Sequence, residues 1–259
     1  MTDSIIWMGF VGSLLAGLGT SLGALPALIF GRPGERVETI MLGFAAGVML
    51  AASIFSLIIP GLDAATIISD SENIRALIVV CGILTGGAAI WIIHQLAPHE
   101  HFISGPEGAE RRNISRIWLF IIAITLHNFP EGMAVGVGFG GGDVANGRAL
   151  ALGIGIQNIP EGLAVAAAML SLGYSRLRAF SVASLTGLVE PIGGVLGASV
   201  VSISEILLPL GLTFAAGAML WVISDEIIPE THRKGVAGFG TVGIMIGFVA
   251  MMYLDVTLG

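Results

Sequence analysis

Apolar residues run in long blocks along this chain, and polar residues collect between the blocks instead of alternating within them. A helix needs about 20 apolar residues to cross the hydrocarbon core of a bilayer. Runs of that length fall near 4–30, 38–60, 74–97, 115–138, 148–171, 178–202, 206–229 and 238–257, with a polar loop at 98–114. The pattern predicts an all-α polytopic membrane protein of eight transmembrane helices. A single transmembrane domain over 1–259 follows, with both termini on one side. No basic stretch precedes the first run, which therefore reads as a retained span and not a cleaved leader.

Composition points the same way. Of 259 residues, 55% are hydrophobic and 11% charged, and the mean hydropathy is +0.93. A soluble domain carries about a quarter charged residues. Glycine is abundant at 38 residues, which suits helices packing closely in lipid. The lone Cys81 excludes a disulfide framework and a thiolate metal cluster; inside its apolar run it is expected to be a small buried hydrophobe. A net charge of −7 speaks against a nucleic-acid partner.

The basic residues orient the chain. Arg32, Arg36, Arg111, Arg112, Arg116, Arg176, Arg178, Arg233 and Lys234 fall in one set of loops; Arg75 and Arg148 fall in the other. The positive-inside rule makes the first set cytoplasmic and turns both termini outward. The outer loops hold Asp63, Asp70, Glu72, Asp143 and Glu205. Asp63, at the end of the second span, is the best of these for drawing cations in.

The chain repeats itself in three places. His127-Asn-Phe-Pro-Glu-Gly-Met-Ala-Val matches Gln157-Asn-Ile-Pro-Glu-Gly-Leu-Ala-Val at a shift of 30 residues. Phe44 to Leu50 matches Phe214 to Leu220 at a shift of 170, and an Ile-Pro pair closes each span, at Ile59-Pro60 and Ile228-Pro229. Gly17, Leu18 and Gly23 match Gly187, Leu188 and Gly193 at the same shift. Spans two and seven run in opposite directions, so the constant shift predicts an inverted repeat of spans 1–3 and 6–8 around spans 4 and 5. Transporters place a midmembrane site at such an interface.

The twin motifs carry the chemistry. His127 and Glu131 are four residues apart, as are Gln157 and Glu161, so each pair shares a helix face. Asn128 and Asn158 lie at the flank of that face. Pro130 and Pro160 lack an N–H and leave the carbonyls of Leu126 and Ile156 without their usual partners, and broken helices of this kind are tolerated where they line a cavity. Glu190, followed by Pro191, adds a third midspan carboxylate. Each such acid costs about 2.5–3.5 kcal/mol to insert, and the three together cost on the order of 8–10 kcal/mol, as much as a whole domain's net stability. No Lys or Arg lies deep in a span to offset them; those within the spans sit at their ends. A bound dication, protonation or a water-filled path is required.

Other residues are weaker candidates. Met49 is by default a packing residue. Asp225, Glu226, Glu230 and His232 near the inner end of span seven, and His99 and His101 in the cytoplasmic loop, suit either solvation or a metal exit. Asp255 and His94 near span ends point less clearly still.

His127-Asn-Phe-Pro-Glu-Gly with Gln157-Asn-Ile-Pro-Glu-Gly resembles the signature of the ZIP (Zrt-, Irt-like protein) metal transporters, their bacterial branch above all. The resemblance covers essentially the whole chain. It implies a two-metal transport site, with His127, Glu131, Glu161 and Met49 at one ion and Asn128, Gln157, Asn158 and Glu190 at a second, Glu131 and Glu161 bridging both. It also implies metal uptake into the cytoplasm across a bacterial inner membrane, a homodimer, periplasmic termini, and an elevator-like motion of the central helices with the first and sixth. It raises Asp225, Glu226 and His99 to exit-route residues. Related members often have Asp where Asn158 stands, which leaves occupancy of the second site open.

Imidazole, carboxylate and thioether donors suit zinc, and also cadmium, iron or manganese; magnesium and calcium prefer all-oxygen shells. The ion is cargo, and no cofactor is expected. Three rival readings compete with a metal carrier. An intramembrane metalloprotease needs a motif such as His-Glu-x-x-His, which is absent. A proton-coupled carrier of another solute would use the acids as relays, and a metal sensor would bind without flux.

Overall fold

The structure, a computed structural model, describes residues 2–30, 34–96, 99–101, 105–107, 116–140, 142–171, 173–204, 206–232 and 237–258. The long apolar runs fold as helices: α1 (Thr2–Ile29), α3 (Glu72–Leu96), α4 (Arg116–Gly140), α5 (Val144–Ser171) and α8 (Ala237–Leu258). Helix α2 runs Glu35–Ala52 and continues through Ser53–Ile58 and Ile59–Ala64. Helix α6 has two parts, Arg176–Gly187 and Glu190–Ile203. Helix α7 runs Leu207–Val222 and on through Ile223–Ile227 and Ile228–Thr231. Among the described residues seven of these helices are long and apolar enough to cross a membrane; α4, with 25 residues, has the length of an eighth. The connection between α3 and α4 holds a small antiparallel hairpin, β1 (His99–His101) with β2 (Gly105–Glu107).

Helices α1, α4, α5 and α6 pack on one another, α2 lies against α8, and α3 against α7. The main apolar cluster joins the two groups, with Met49, Leu57, Val135, Ile154, Met219 and Met251 all fully buried. Leu15, Leu22, Leu77, Leu84, Met245 and Val249 instead face outward, as they must where the surrounding solvent is lipid. Cys81 is one of these outward residues, not the buried hydrophobe expected: α3 is peripheral, and its apolar run is satisfied by lipid as well as by protein.

The inverted repeat is visible atom by atom. A side chain at Gly132 of α4 would strike the Glu190 carbonyl of α6; its counterpart Gly162 of α5 would strike the Thr20 carbonyl of α1. Gly193 sits against the Phe129 carbonyl, and Gly23 against the Ile159 carbonyl. Both contact pairs interchange under the shifts of 30 and 170 residues. Gly17 and Gly187, related by the same shift, touch each other's carbonyls. Only glycine lets backbones meet this closely, so van der Waals contact between helices replaces the hydrophobic drive that lipid removes.

Proline acts differently at each site. In α2 and α7 the residue before the proline donates its N–H five residues back, Ile59 to the Ile54 carbonyl and Ile228 to the Ile223 carbonyl. Both helices widen locally there, at Ser53–Ile58 and Ile223–Ile227. Pro130 and Pro160 do not break their helices, contrary to expectation: α4 and α5 run on through them, as neighbouring helices packed on both sides permit. The break comes in α6, expected to be continuous. Leu188 and Val189 form a turn there, because Pro191 cannot donate into the preceding helix. Glu190 thereby opens a new helix of 14 residues, and a carboxylate at a helix N-terminus is favourably placed against the helix dipole.

Gly23→Val and Gly193→Val should each lower the thermal midpoint of the detergent-solubilised protein, by the equivalent of about 1–3 kcal/mol of overpacking. Gly238→Ala, with nothing within 4 Å, should leave it unchanged or slightly raised. A melt of the Gly193 variant equal to the parent's would contradict the close contact with Phe129.

Candidate metal centre

The motifs of α4 and α5 meet at the centre of the bundle with the start of the second half of α6. Glu131, Asn128, Gln157, Asn158 and Glu190 have no solvent-exposed surface, and Glu161 has 1%. The helical spacing of four turns Glu131 and Glu161 toward the shared interface, and the break at Leu188 brings Glu190 to it. Gln157 Nε2 donates to Glu131 Oε1 at 2.6 Å and to Glu161 Oε1 at 3.4 Å. Asn158 Nδ2 donates to Glu190 Oε1 at 2.7 Å and to the Ala16 carbonyl of α1 at 2.9 Å.

Two amides thus stand among three carboxylates, their N–H groups where positive charge is wanted. They do not complete the satisfaction of the site. Both side-chain polar atoms of Asn128, Gln157 Oε1, Asn158 Oδ1 and the Oε2 atoms of Glu131 and Glu190 make no hydrogen bond among the described residues. Buried polar atoms left so cost about 1–3 kcal/mol each, more when charged. A desolvated cation is what such a set of oxygens accepts. Among the described residues no three His, Cys, Asp or Glu side chains enclose one point; the Gln157 amide lies between Glu131 and Glu161.

The remaining expected residues divide. His127 lies on α4 one turn before Glu131; its side chain falls outside the described residues, as do those of His94, His99, His101, Glu226 and Glu230. The backbone of His99 and His101 forms β1. Met49 is enclosed in the main apolar cluster. Asp225 lies half-buried in the widened turn of α7, and Asp63 is exposed at the C-terminal end of α2. Asp255, half-buried on α8, accepts a short hydrogen bond from the Ser56 hydroxyl of α2.

Sequence reasoning missed three residues. Asn146 of α5, buried, donates to the Ser56 carbonyl at 3.2 Å, a carbonyl that Pro60 leaves without its helical partner. The same proline logic that singled out Leu126 and Ile156 points to it. Thr20, fully buried with its hydroxyl unpartnered, is the repeat position of Glu190; the shift of 170 already pairs them. The Ala16 carbonyl carries no signal in the sequence.

A family model described as ZIP zinc transporter matches residues 97–255. Over 251 residues the chain is 46% identical to the zinc transporter GufA of Myxococcus xanthus, covering 97% of this chain and 99% of that protein. It is 46% identical over 240 residues to the zinc transporter ZIPB of Bordetella bronchiseptica, covering 93% and 78%. It is 32% identical over 263 residues to the zinc transporter ZupT of Chlorobium chlorochromatii, covering 97% of each. With likeness of this extent and a buried acid-and-amide site on the expected helices, the chain is an integral membrane protein and belongs to the ZIP family of zinc transporters.

Proposed function

We propose that this protein carries divalent transition-metal ions, zinc foremost and cadmium, iron or manganese alongside it, from outside the cell into the cytoplasm. The observation that carries the reading is the set of three buried carboxylates with amide N–H groups donating to them, and with every Lys and Arg of the chain near a span end. The names of the three relatives reported above, each a zinc transporter, agree with it. The ion is cargo, and no enzymatic step on it is proposed.

His127, Glu131 and Glu161 hold the ion on this reading, with the Met49 thioether as a soft donor from α2; Asn128, Gln157, Asn158 and Glu190 form the adjoining side. Imidazole and carboxylate bind zinc readily, while amide oxygens in place of thiolates keep the ion exchangeable. Movement of α1, α4, α5 and α6 as a unit past α2, α3, α7 and α8 would expose the site to each side in turn. The glycine contacts inside the first group support it. Inverted repeats support two states of comparable packing, since exchanging the roles of the repeats converts one into the other. The distribution of Lys and Arg supports periplasmic termini in a bacterial inner membrane. The family resemblance adds a homodimer. Asp63 and Asp255 are the entrance residues of this scheme; Asp225, Glu226, His99 and His101 lie on its exit.

In liposomes, His127→Ala and Glu131→Ala should each reduce zinc uptake to the level of empty vesicles while membrane yield stays at the parent's level. Normal flux in either variant would remove that residue from the site. Acid should weaken binding, because imidazole and carboxylates must shed protons to ligate. Between pH 7 and pH 5.5 the zinc affinity of the purified protein should fall by about tenfold per pH unit for each proton displaced. An affinity unchanged over that interval, measured by titration calorimetry, would exclude these ligands.

A further inference from the structure

Gln157 and Asn158 are neighbours on α5, and both give N–H groups to buried carboxylates, yet they are held differently. The recorded contacts of Gln157 Nε2 are the Oε1 atoms of Glu131 and Glu161. A half-turn of that amide exchanges Nε2 and Oε1 with almost no change in shape, so an ion arriving between the two acids is met by a carbonyl oxygen. Asn158 cannot make the same exchange. Its Nδ2 also donates to the Ala16 carbonyl, a main-chain oxygen that never donates. A half-turn would press Oδ1 against that oxygen, with both groups buried and no water to relieve the repulsion. Asn158 is therefore locked with its N–H₂ group toward Glu190.

We infer that Asn158 closes the Glu190 side of the centre to metal: its N–H₂ group occupies the place of a second ion, and the protein carries one ion at a time, between Glu131 and Glu161. This rests on the transport reading and sets its stoichiometry. Glu190 then acts as a positioning residue. Through Asn158 it ties α5 to α6, and the Ala16 bond extends the tie to α1, so three helices of one group are joined at a single amide. Thr20, the repeat counterpart of Glu190, is a neutral hydroxyl at the matching place on α1.

The test counts ions. Purified protein in detergent is equilibrated with saturating Zn²⁺, and separately with Cd²⁺, and bound metal is measured by mass spectrometry. Ions on surface groups are removed by subtracting the count for the double variant Glu131→Gln with Glu161→Gln. The difference should be one for the parent and one for Glu190→Gln, whose amide oxygen still accepts from Asn158, with affinity within about threefold of the parent's. Asn158→Asp can no longer donate and sets a second carboxylate against Glu190, so its difference should rise to two. Two ions in the parent, loss of the ion in Glu190→Gln, or a count of one in a monodisperse Asn158→Asp would each overturn the inference. If Asn158→Asp does not purify as a single species, the parent and Glu190→Gln counts decide. No ion bound to the parent would overturn the transport reading itself, and this stoichiometry with it.

Discussion

Glu131, Glu161 and Glu190 are held inside an apolar bundle with side-chain amides as their neighbours, and that placement governs the surrounding structure. Carboxylates so placed repel one another and are cut off from solvent. Gln157 and Asn158 soften the cost without removing it, since several polar atoms of the cluster make no hydrogen bond among the described residues.

Holding acids at that depth demands rigid walls. Helices in lipid gain little from hydrophobic contact with one another, so here they gain it from backbone approach at Gly23, Gly132, Gly162 and Gly193. Those contacts come in pairs related by the inverted repeat, which means α4 on α6 is packed as α5 is packed on α1. The symmetry is broken where chemistry requires it. Thr20 on the unbroken α1 answers to Glu190 on the interrupted α6, and Pro191, with no proline at its counterpart Ser21, is the cause. One substitution of residue type and one missing N–H convert a packing position into a charged one.

Proline shows how context decides the outcome of a local rule. Each proline lacks the same N–H, yet Pro60 and Pro229 follow widened turns, Pro191 coincides with a break, and Pro130 and Pro160 leave their helices running. Where two helices press on both sides, as around α4 and α5, the helix is held straight. Toward the ends of α2, chain reorganisation is possible, and the carbonyl released at Ser56 is claimed by Asn146 of another helix.

Much of this was legible in the order of residues alone. Apolar runs set the spans, because lipid tolerates no unpaired backbone. The inverted plan followed from one constant shift, and the cost of midmembrane charge singled out Glu131, Glu161 and Glu190, which the fold buries together. These conclusions depend on local composition and on spacing, which a sequence carries in full. It could not show that Asn158 reaches back 142 residues to the carbonyl of Ala16, nor that the Gln157 amide, among the described residues, donates to carboxylates alone. Main-chain carbonyls are identical in every residue, so only the packed helices reveal which one lies within reach, and with it which amide is tied to the backbone of a neighbouring helix.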